Sequence, residues 1–461
     1  MHAHTRLVPI IVASPLFLQN LDSSVMATAL PNIAQSLQVP ALHLNLAITA
    51  YLLSLAIFLP ISGWLADRFG PKWVFCCAIG FFSLGSALCV VADSLPELVL
   101  FRVIQGLGGA MMVPVGRLIL LHTVPSHQMV SAMVWFTIPP VLGRMIGPLV
   151  GGAIVTLTSW RWIFFINIPF GLIAIALAFM FLDNTHEKST STPFDLKGFV
   201  LLAVGLTGLL GAFETAGKAL VSNMVCSLAA SVGLLALTLY YYHGRNEQQP
   251  LINLNILRYR TFRTNVIGGA ALRIAIGAVP FLLPLLLQLG FGLSPLMSGS
   301  LTVATAVGAL GTRLVMKRSI SYFGFRQLLL GATVLTSLCY MSYSLFGQST
   351  PHFVIFGTLM LGGLVNSMCL VSLGTLGFSE IPKPMMNHAT ALYTMSQQLS
   401  ISVGVVIGAG LVNILSWWHG SSGTHLQAND FSPAFAFIGL LTLLSLVSFL
   451  KLHPDVGSEL R

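Results

Sequence analysis

The chain has 461 residues, of which 55% are hydrophobic and only 8% are charged. An average soluble domain carries about 25% charged residues, so this composition excludes an ordinary soluble protein and favours a chain embedded in lipid. The net charge of +9 comes from Lys and Arg at the ends of apolar runs, so we expect no nucleic-acid partner. The six cysteines lie in apolar segments without C-x-x-C spacing, and we expect neither a metal nor a cofactor.

A membrane-spanning helix needs about 20 mostly apolar residues. The first apolar run contains an A-x-A-like site, but Asp22 interrupts it, so we interpret it as an uncleaved first span rather than a signal peptide. The sequence predicts an all-α polytopic membrane protein with fourteen spans, at about 7–30, 44–66, 73–92, 98–121, 129–157, 162–182, 198–213, 222–242, 264–288, 296–316, 326–346, 352–374, 387–416 and 432–451.

The distribution of Lys and Arg between the loops predicts the orientation. If the N-terminus is cytoplasmic, fifteen basic residues lie on the inner side and two, Arg161 and Lys218, lie on the outer side. This asymmetry predicts a cytoplasmic N-terminus, and the even number of spans then places the C-terminus on the same side. The surrounding membrane is predicted to be the plasma membrane, which for a bacterial chain is the inner membrane.

Two longer polar loops, 183–197 and 243–263, bracket the seventh and eighth spans. Internal halves are common in transporters, so we predict two six-helix bundles around a cavity near the membrane midplane, with a peripheral two-helix insert. The predicted parts are residues 1–182, 183–263 and 264–461. The residues expected to line the cavity are Gln105, Arg273, Asn366, Gln397 and Gln398, together with Asp22.

Ionisable side chains inside a membrane are costly and are therefore functional candidates. Asp22 is the only carboxylate well inside a span, about 12 Å below the outer end of its helix, and Arg102 lies about 6 Å below the same side. We expect the two to pair, either for proton coupling or as a static ion pair. Glu214 is expected at the outer surface. The other basic residues within spans are Arg117, Arg144, Arg273 and Arg313.

Two glycine-containing segments are candidate elements of a conformational gate. The tight turn 63–72 contains Gly63, Asp67, Arg68 and Gly70, and it is either a gate element or a basic anchor on the inner face. The fifth span is either a kinked packing helix or a bend that closes the inner cavity. The residues of that span that support both interpretations are Gly143, Gly147, Pro148, Gly151 and Gly152.

Five stretches in order resemble signatures of the major facilitator superfamily, and in particular its fourteen-span drug:proton antiporter (EmrB/QacA-type) family. The similarity extends along the whole chain and is greatest to the MdtD/HsrA-like branch. Arg144 departs from the pattern because a small or apolar residue is usual there, and Pro71 stands where a basic residue is usual. The five stretches are 21–31, 63–72, 98–110, 143–152 and 160–169.

The resemblance implies a transporter of small molecules that exchanges them for protons, functions as a monomer and is not an enzyme. It also implies that Asp67 acts on the conformational cycle, by facing the start of the thirteenth span. The leading hypothesis is export of small amphipathic or toxic compounds. The alternative is transport of one dedicated metabolite, for example a siderophore, and a membrane scaffold or membrane enzyme is a third class without support in the sequence.

Overall fold

The computed structural model describes residues 2–125, 128–182, 193–216, 221–247, 250–382, 385–419 and 426–453. Within those ranges every regular element is helical. Thirteen of the described helical segments are long and apolar enough, by length and composition, to cross a membrane. The expectation of an all-α polytopic membrane protein is therefore confirmed.

The first ten helices follow the predicted spans, with interruptions where the local sequence requires them. Pro60 lies in a short 3₁₀ turn that divides the second span into α2 and α3. Gly70 adopts a φ of 88°, which a side chain would disfavour, and separates α3 from α4. The helices are α1 His2–Leu37, α2 Asn45–Phe58, α3 Ser62–Phe69, α4 Pro71–Val90, α5 Leu95–Thr123, α6 Met129–Leu157, α7 Trp162–Phe165, α8 Asn167–Phe181, α9 Leu196–Thr215 and α10 Asn223–Asn246.

The remaining helices include one that contains two of the predicted spans. α13 extends over 49 residues, but Gly324 inside it has a non-helical φ of 70° and ψ of 169°. The predicted spans 296–316 and 326–346 lie on either side of this break. The helices are α11 Arg260–Arg263, α12 Ala270–Leu285, α13 Pro295–Tyr343, α14 His352–Gly377, α15 Met386–Trp418 and α16 Ala428–Phe449.

The contacts divide the chain into two compact units. Unit 1 contains residues 1–26, 46–147 and 157–252, and in it α4 packs against α5 and α8. Unit 2 contains residues 27–45, 148–156 and 253–461, and in it α13 packs against α14 and α16 while α12 packs against α15 and α16. Helices α1 and α6 each contribute residues to both units, which differs from the expected boundaries at residues 182 and 263.

Helices α9 and α10, the predicted insert, pack mainly against each other within unit 1. Aromatic contacts connect α9 and the segment just before it to α2 and α3. The ring centroids lie 5.8 Å apart for Phe199 and Phe58 and 4.8 Å apart for Phe194 and Trp64. Most of α10 is exposed, as a lipid-facing helix would be. Glu214 lies near the end of α9 and is only 3% exposed, so the expectation that it is a surface residue was wrong.

Candidate functional site

The acidic residue of α1 is buried inside unit 1 and forms an ion pair. Asp22 is 3% exposed and Arg102 is 1% exposed, and Arg102 Nη1 lies 2.6 Å from Asp22 Oδ2. The pairing expected from the depths of the two residues in antiparallel helices is therefore present. An ion pair this deeply buried needs further hydrogen bonds to offset the cost of removing both charges from water.

Two amide side chains provide those hydrogen bonds to the other carboxylate oxygen. Gln105 Nε2 donates to Asp22 Oδ1 at 3.1 Å, and Asn167 Nδ2 donates to the same oxygen at 2.9 Å. Gln105 also accepts a 2.5 Å hydrogen bond from Arg102 Nη1 through its own oxygen. Ser86 Oγ accepts hydrogen bonds from both amides, at 2.8 and 3.3 Å. The carboxylate thus accepts three hydrogen bonds, which tie it to α5 and α8.

Aromatic rings and small residues complete the surroundings of Arg102. Its guanidinium carbon lies 4.4 Å from the ring centroid of Tyr51 and 5.6 Å from that of Phe164. Such cation–π contacts stabilise a desolvated cation. Gly85 allows α4 to approach α5 closely, because a Cβ at that position would lie 2.5 Å from the backbone nitrogen of Gln105.

Arg273, a predicted cavity residue in unit 2, has an environment that differs from that of Arg102. Arg273 is buried, donates to the carbonyl oxygen of Asn265 at 2.8 Å and also contacts the Asn265 side-chain oxygen. Its guanidinium lies 5.1 Å from the ring centroid of Tyr393. Among the residues that the structure describes, no carboxylate forms an ion pair with Arg273, so unit 2 lacks an equivalent of the Asp22 pair there.

Three further cavity candidates in unit 2 are partly exposed. Asn366 lies on α14, and Gln397 and Gln398 are neighbours on α15. In the part of the chain that the structure describes, no hydrogen bond joins them to one another or to Arg273. The structure therefore gathers Asp22, Arg102 and Gln105 into one cluster, but not these three.

The turn between α3 and α4 presents its charged residues to solvent. Asp67 and Arg68 are exposed, and Gly63 has no heavy atom within 4 Å of a Cβ built on it. Arg68 lies over Trp64 at 5.5 Å from the ring centroid. Gly70 is required by its positive φ. The role of this turn in a conformational cycle stays a prediction.

The glycines of α6 allow close helix contacts in both units. In unit 1, a Cβ at Gly143 would lie 2.5 Å from the carbonyl oxygen of Phe17, and one at Gly147 would lie 2.5 Å from the Ser24 Cβ. In unit 2, a Cβ at Gly152 would lie 2.4 Å from the carbonyl oxygen of Pro295. The neighbouring Pro148 and Gly151 mark where α6 passes into unit 2 and remain candidate gate residues.

Comparisons with known proteins agree with this architecture. A sequence profile of the Major Facilitator Superfamily matches residues 15–405. The chain belongs to the major facilitator superfamily. It is similar to proteins described as "Putative multidrug resistance protein MdtD" from Escherichia fergusonii and from Escherichia coli strain K12. Both are 37% identical over 448 residues, which cover 96% of this chain and 94% of the relative.

Solved structures of other transporters share the fold of this major facilitator. An autoinhibited peptide transporter of the POT family superposes with a TM-score of 0.70 and 14% identity, covering 97% of each chain. A D-xylose–proton symporter superposes with a TM-score of 0.65 and 14% identity, covering 94% of this chain and 96% of the other. Identities this low establish the fold alone.

Two polar residues in the cluster around Asp22 were not expected from the sequence. Asn167 lies in the signature stretch 160–169 and Ser86 lies in the predicted span 73–92, but neither had a predicted role. The signal available for Asn167 was an amide inside an otherwise apolar span, since buried amides need partners. No comparable signal singles out Ser86, because hydroxyls within helices commonly bond their own backbone, as Ser86 also does.

Proposed function

We propose that this chain is a proton-coupled antiporter that exports small amphipathic or toxic compounds across the bacterial inner membrane. The observation that carries the proposal is the buried ion pair of Asp22 and Arg102, held by amide donors inside a helical unit. The description of the MdtD relatives as putative multidrug resistance proteins supports the same class of substrate. The protein would act as a monomer, with small molecules and protons as its partners.

In this proposal, a proton and the guanidinium of Arg102 compete for Asp22, and this competition provides the coupling. The ionised carboxylate accepts hydrogen bonds from Arg102, Gln105 and Asn167. Protonation removes the charge that holds Arg102, so the pair breaks and the guanidinium is released toward another partner. Gln105 contacts both members of the pair and would transmit the change to α4 through Ser86. Binding of substrate and binding of a proton then favour different arrangements of the same cluster.

The remaining candidate residues have separate roles in the proposal. We assign substrate contact to the partly exposed polar residues of unit 2 and to Arg273. The glycines and the turn residues would govern the conformational cycle. The residues concerned are Arg273, Asn366, Gln397 and Gln398 for substrate contact, and Gly63, Asp67, Arg68, Gly70, Gly143, Gly147, Pro148, Gly151 and Gly152 for the gate.

Proton release by the purified protein tests the proposal directly. Addition of a substrate to weakly buffered protein should release protons, and inverted membrane vesicles should accumulate the same compound when acidified inside. A panel of dyes and drugs should produce release with several unrelated members. Release with one metabolite alone would favour the dedicated transporter, and absence of both release and accumulation across the panel would refute coupled export.

A further inference from the structure

An exposed arginine lies halfway along α6. Arg144 follows the start of the apolar span Ala132–Leu157 by twelve residues and precedes its end by thirteen. At 1.5 Å per residue, each end is about 18–20 Å away along the helix axis. Arg144 is exposed, whereas Arg102 and Arg273 are each 1% exposed. A side chain at this depth is too far from either membrane surface to reach the headgroups by snorkelling.

The two exposed faces of α6 differ in chemistry. Trp135, Leu142 and Leu149 are exposed and recur every seven residues. At 3.6 residues per turn, they lie roughly 140–180° around the helix from Arg144. Thr137, also exposed, lies within about 20° of Arg144. The apolar face is suited to lipid, so the polar face with Arg144 is turned away from it. Charged residues at mid-span face water or protein.

The neighbouring face of α1 is polar as well. Arg144 Nη2 donates to Asn20 Oδ1 at 3.1 Å, and the Asn20 amide nitrogen is fixed by the carbonyl oxygen of Leu16 at 2.9 Å. Ser24 Oγ donates to the carbonyl oxygen of Arg144 at 3.0 Å. These contacts orient the guanidinium with a neutral partner and leave its charge unbalanced.

The remaining donors of Arg144 are available to a ligand. Among the residues that the structure describes, neither Nε nor Nη1 has a protein acceptor, and no carboxylate forms an ion pair with this side chain. Arg117 and Arg313 are also exposed. Arg117 is only six residues from the end of α5, and Arg313 is eleven residues before the break at Gly324. Both are closer to a helix end, so Arg144 is the deepest exposed cation in the described chain.

We propose that Arg144 is a substrate-recognition residue that selects anionic amphipathic compounds, with Asn20 as its positioning partner. The inference rests on the proposed export function and names the substrate class within it. A guanidinium can bind a carboxylate, sulfonate or phosphate through two parallel hydrogen bonds, which a compact ammonium cannot do. The same unbalanced positive charge repels amphipathic cations, so the residue discriminates between compounds of equal size and hydrophobicity.

Two xanthene dyes of opposite charge test the proposal. Binding of anionic fluorescein and cationic rhodamine 6G to the full-length purified protein is measured by fluorescence anisotropy, and uptake is measured in inverted vesicles. The parent should prefer fluorescein. R144Q should weaken fluorescein binding by about 10-fold or more, the loss expected for a charge-assisted hydrogen bond. R144K should retain part of the binding, and the matched variant R117Q should retain all of it.

A charge change on the partner residue keeps the test independent of folding defects in R144Q. N20D places a carboxylate beside the intact guanidinium and should abolish fluorescein binding while leaving the protein monodisperse. The proposal is overturned if N20D or R144Q binds fluorescein as tightly as the parent does. It is also overturned if the parent fails to bind fluorescein. Arg144-dependent binding without uptake in vesicles would instead uphold the site and refute the exporter function.

Discussion

Asp22 accepts hydrogen bonds from residues on two other helices of unit 1. Arg102 and Gln105 belong to α5, and Asn167 belongs to α8. The carboxylate therefore connects α1 to two further helices, and its charge state affects the packing of all three. Removing one charge of a buried pair leaves the other unbalanced and costs about 3–5 kcal/mol. Substitutions here need to separate the loss of coupling from this structural cost.

The variant D22N removes the carboxylate of the buried ion pair. It should retain some binding of a transported dye, because the substituted amide retains the size of the side chain. It should fail to accumulate the dye against a gradient in acidified inverted vesicles, because the amide cannot exchange a proton. Dye binding and accumulation are measured on the same preparation. Accumulation equal to that of the parent would exclude Asp22 as the coupling carboxylate.

The double variant D22N/R102Q is the control for the unbalanced charge of Arg102. It removes both charges, so its midpoint of thermal unfolding should lie above that of D22N. It should nevertheless remain unable to accumulate dye. If the double variant recovered coupled export, the defect of D22N would be one of stability, and proton exchange would have to be assigned to another group.

At the scale of single residues, the Asp22–Arg102 pair follows from the sequence, whereas the contacts of Asn167 and Ser86 do not. The pair follows because depth in two antiparallel helices is a matter of counting residues at a fixed rise. Asn167 and Ser86 depend instead on how α4 and α8 are rotated about their axes, which residue counts do not determine. The exposure of Arg144 depends on helix rotation in the same way.

At the scale of helices, the contact of α1 with α6 rests on glycines that have no room for a side chain. G143A would place a Cβ 2.5 Å from a backbone oxygen of Phe17, which cannot rotate away. The helices would have to separate, at about 1–3 kcal/mol for overpacking. We expect a lower midpoint of thermal unfolding in detergent for this variant.

G80A, in the middle of α4, is the matched control because a Cβ there meets nothing within 4 Å. Alanine favours a helix over glycine, so this variant should unfold at the same temperature as the parent or higher. Equal midpoints for G143A and G80A would show that the close contact of α1 with α6 is absent in the protein as purified.

A second element-level feature joins α9, α10 and the segment that follows α10. Asp195 caps α9 by accepting from the backbone of Gly198 at 2.8 Å, and it also accepts from His243 at 2.7 Å and from the backbone of Leu251 at 3.2 Å. Burial alone would raise the pKa of Asp195, but the hydrogen bonds from His243 and the two amides lower it overall. The ionised residue therefore holds the three segments together.

Loss of this carboxylate should loosen the segment after α10. D195A should cost about 0.5–2 kcal/mol, the usual value of a helix N-cap, and should accelerate hydrogen exchange at the amides of Gly198 and Leu251. In the parent, the lowered pKa means that the stabilisation is present above the ordinary value of about 4 and is lost as the pH falls through the folded value.

D93N provides the comparison for D195A. Asp93 also forms an ion pair, with Arg161 at 2.9 Å, but its side chain is 84% exposed whereas that of Asp195 is 6% exposed. Exposed pairs contribute little, so D93N should leave stability nearly unchanged. Unaltered exchange at Leu251 in D195A would mean that His243 and Asp195 do not fix this segment.

At the scale of the whole molecule, hydropathy predicted most spans because each helix must satisfy its own backbone hydrogen bonds in lipid. The predicted spans 296–316 and 326–346 are one helical segment divided only by the unusual φ and ψ of Gly324. The boundaries of the two units could not be predicted. They depend on which neighbours the ends of α1 and α6 contact, and both helices are continuous in sequence where the units change.

The unbalanced charge of Arg144 has an electrical consequence for the transport cycle. A bound monoanion neutralises it, so the loaded carrier with ionised Asp22 would cross the membrane without moving net charge through this site. The empty, protonated carrier would return with extra positive charge, and each charge moved through 100 mV changes the free energy by about 2.3 kcal/mol. An interior-negative voltage would therefore accelerate the return half of the cycle, and turnover would follow membrane voltage even at equal pH on both sides.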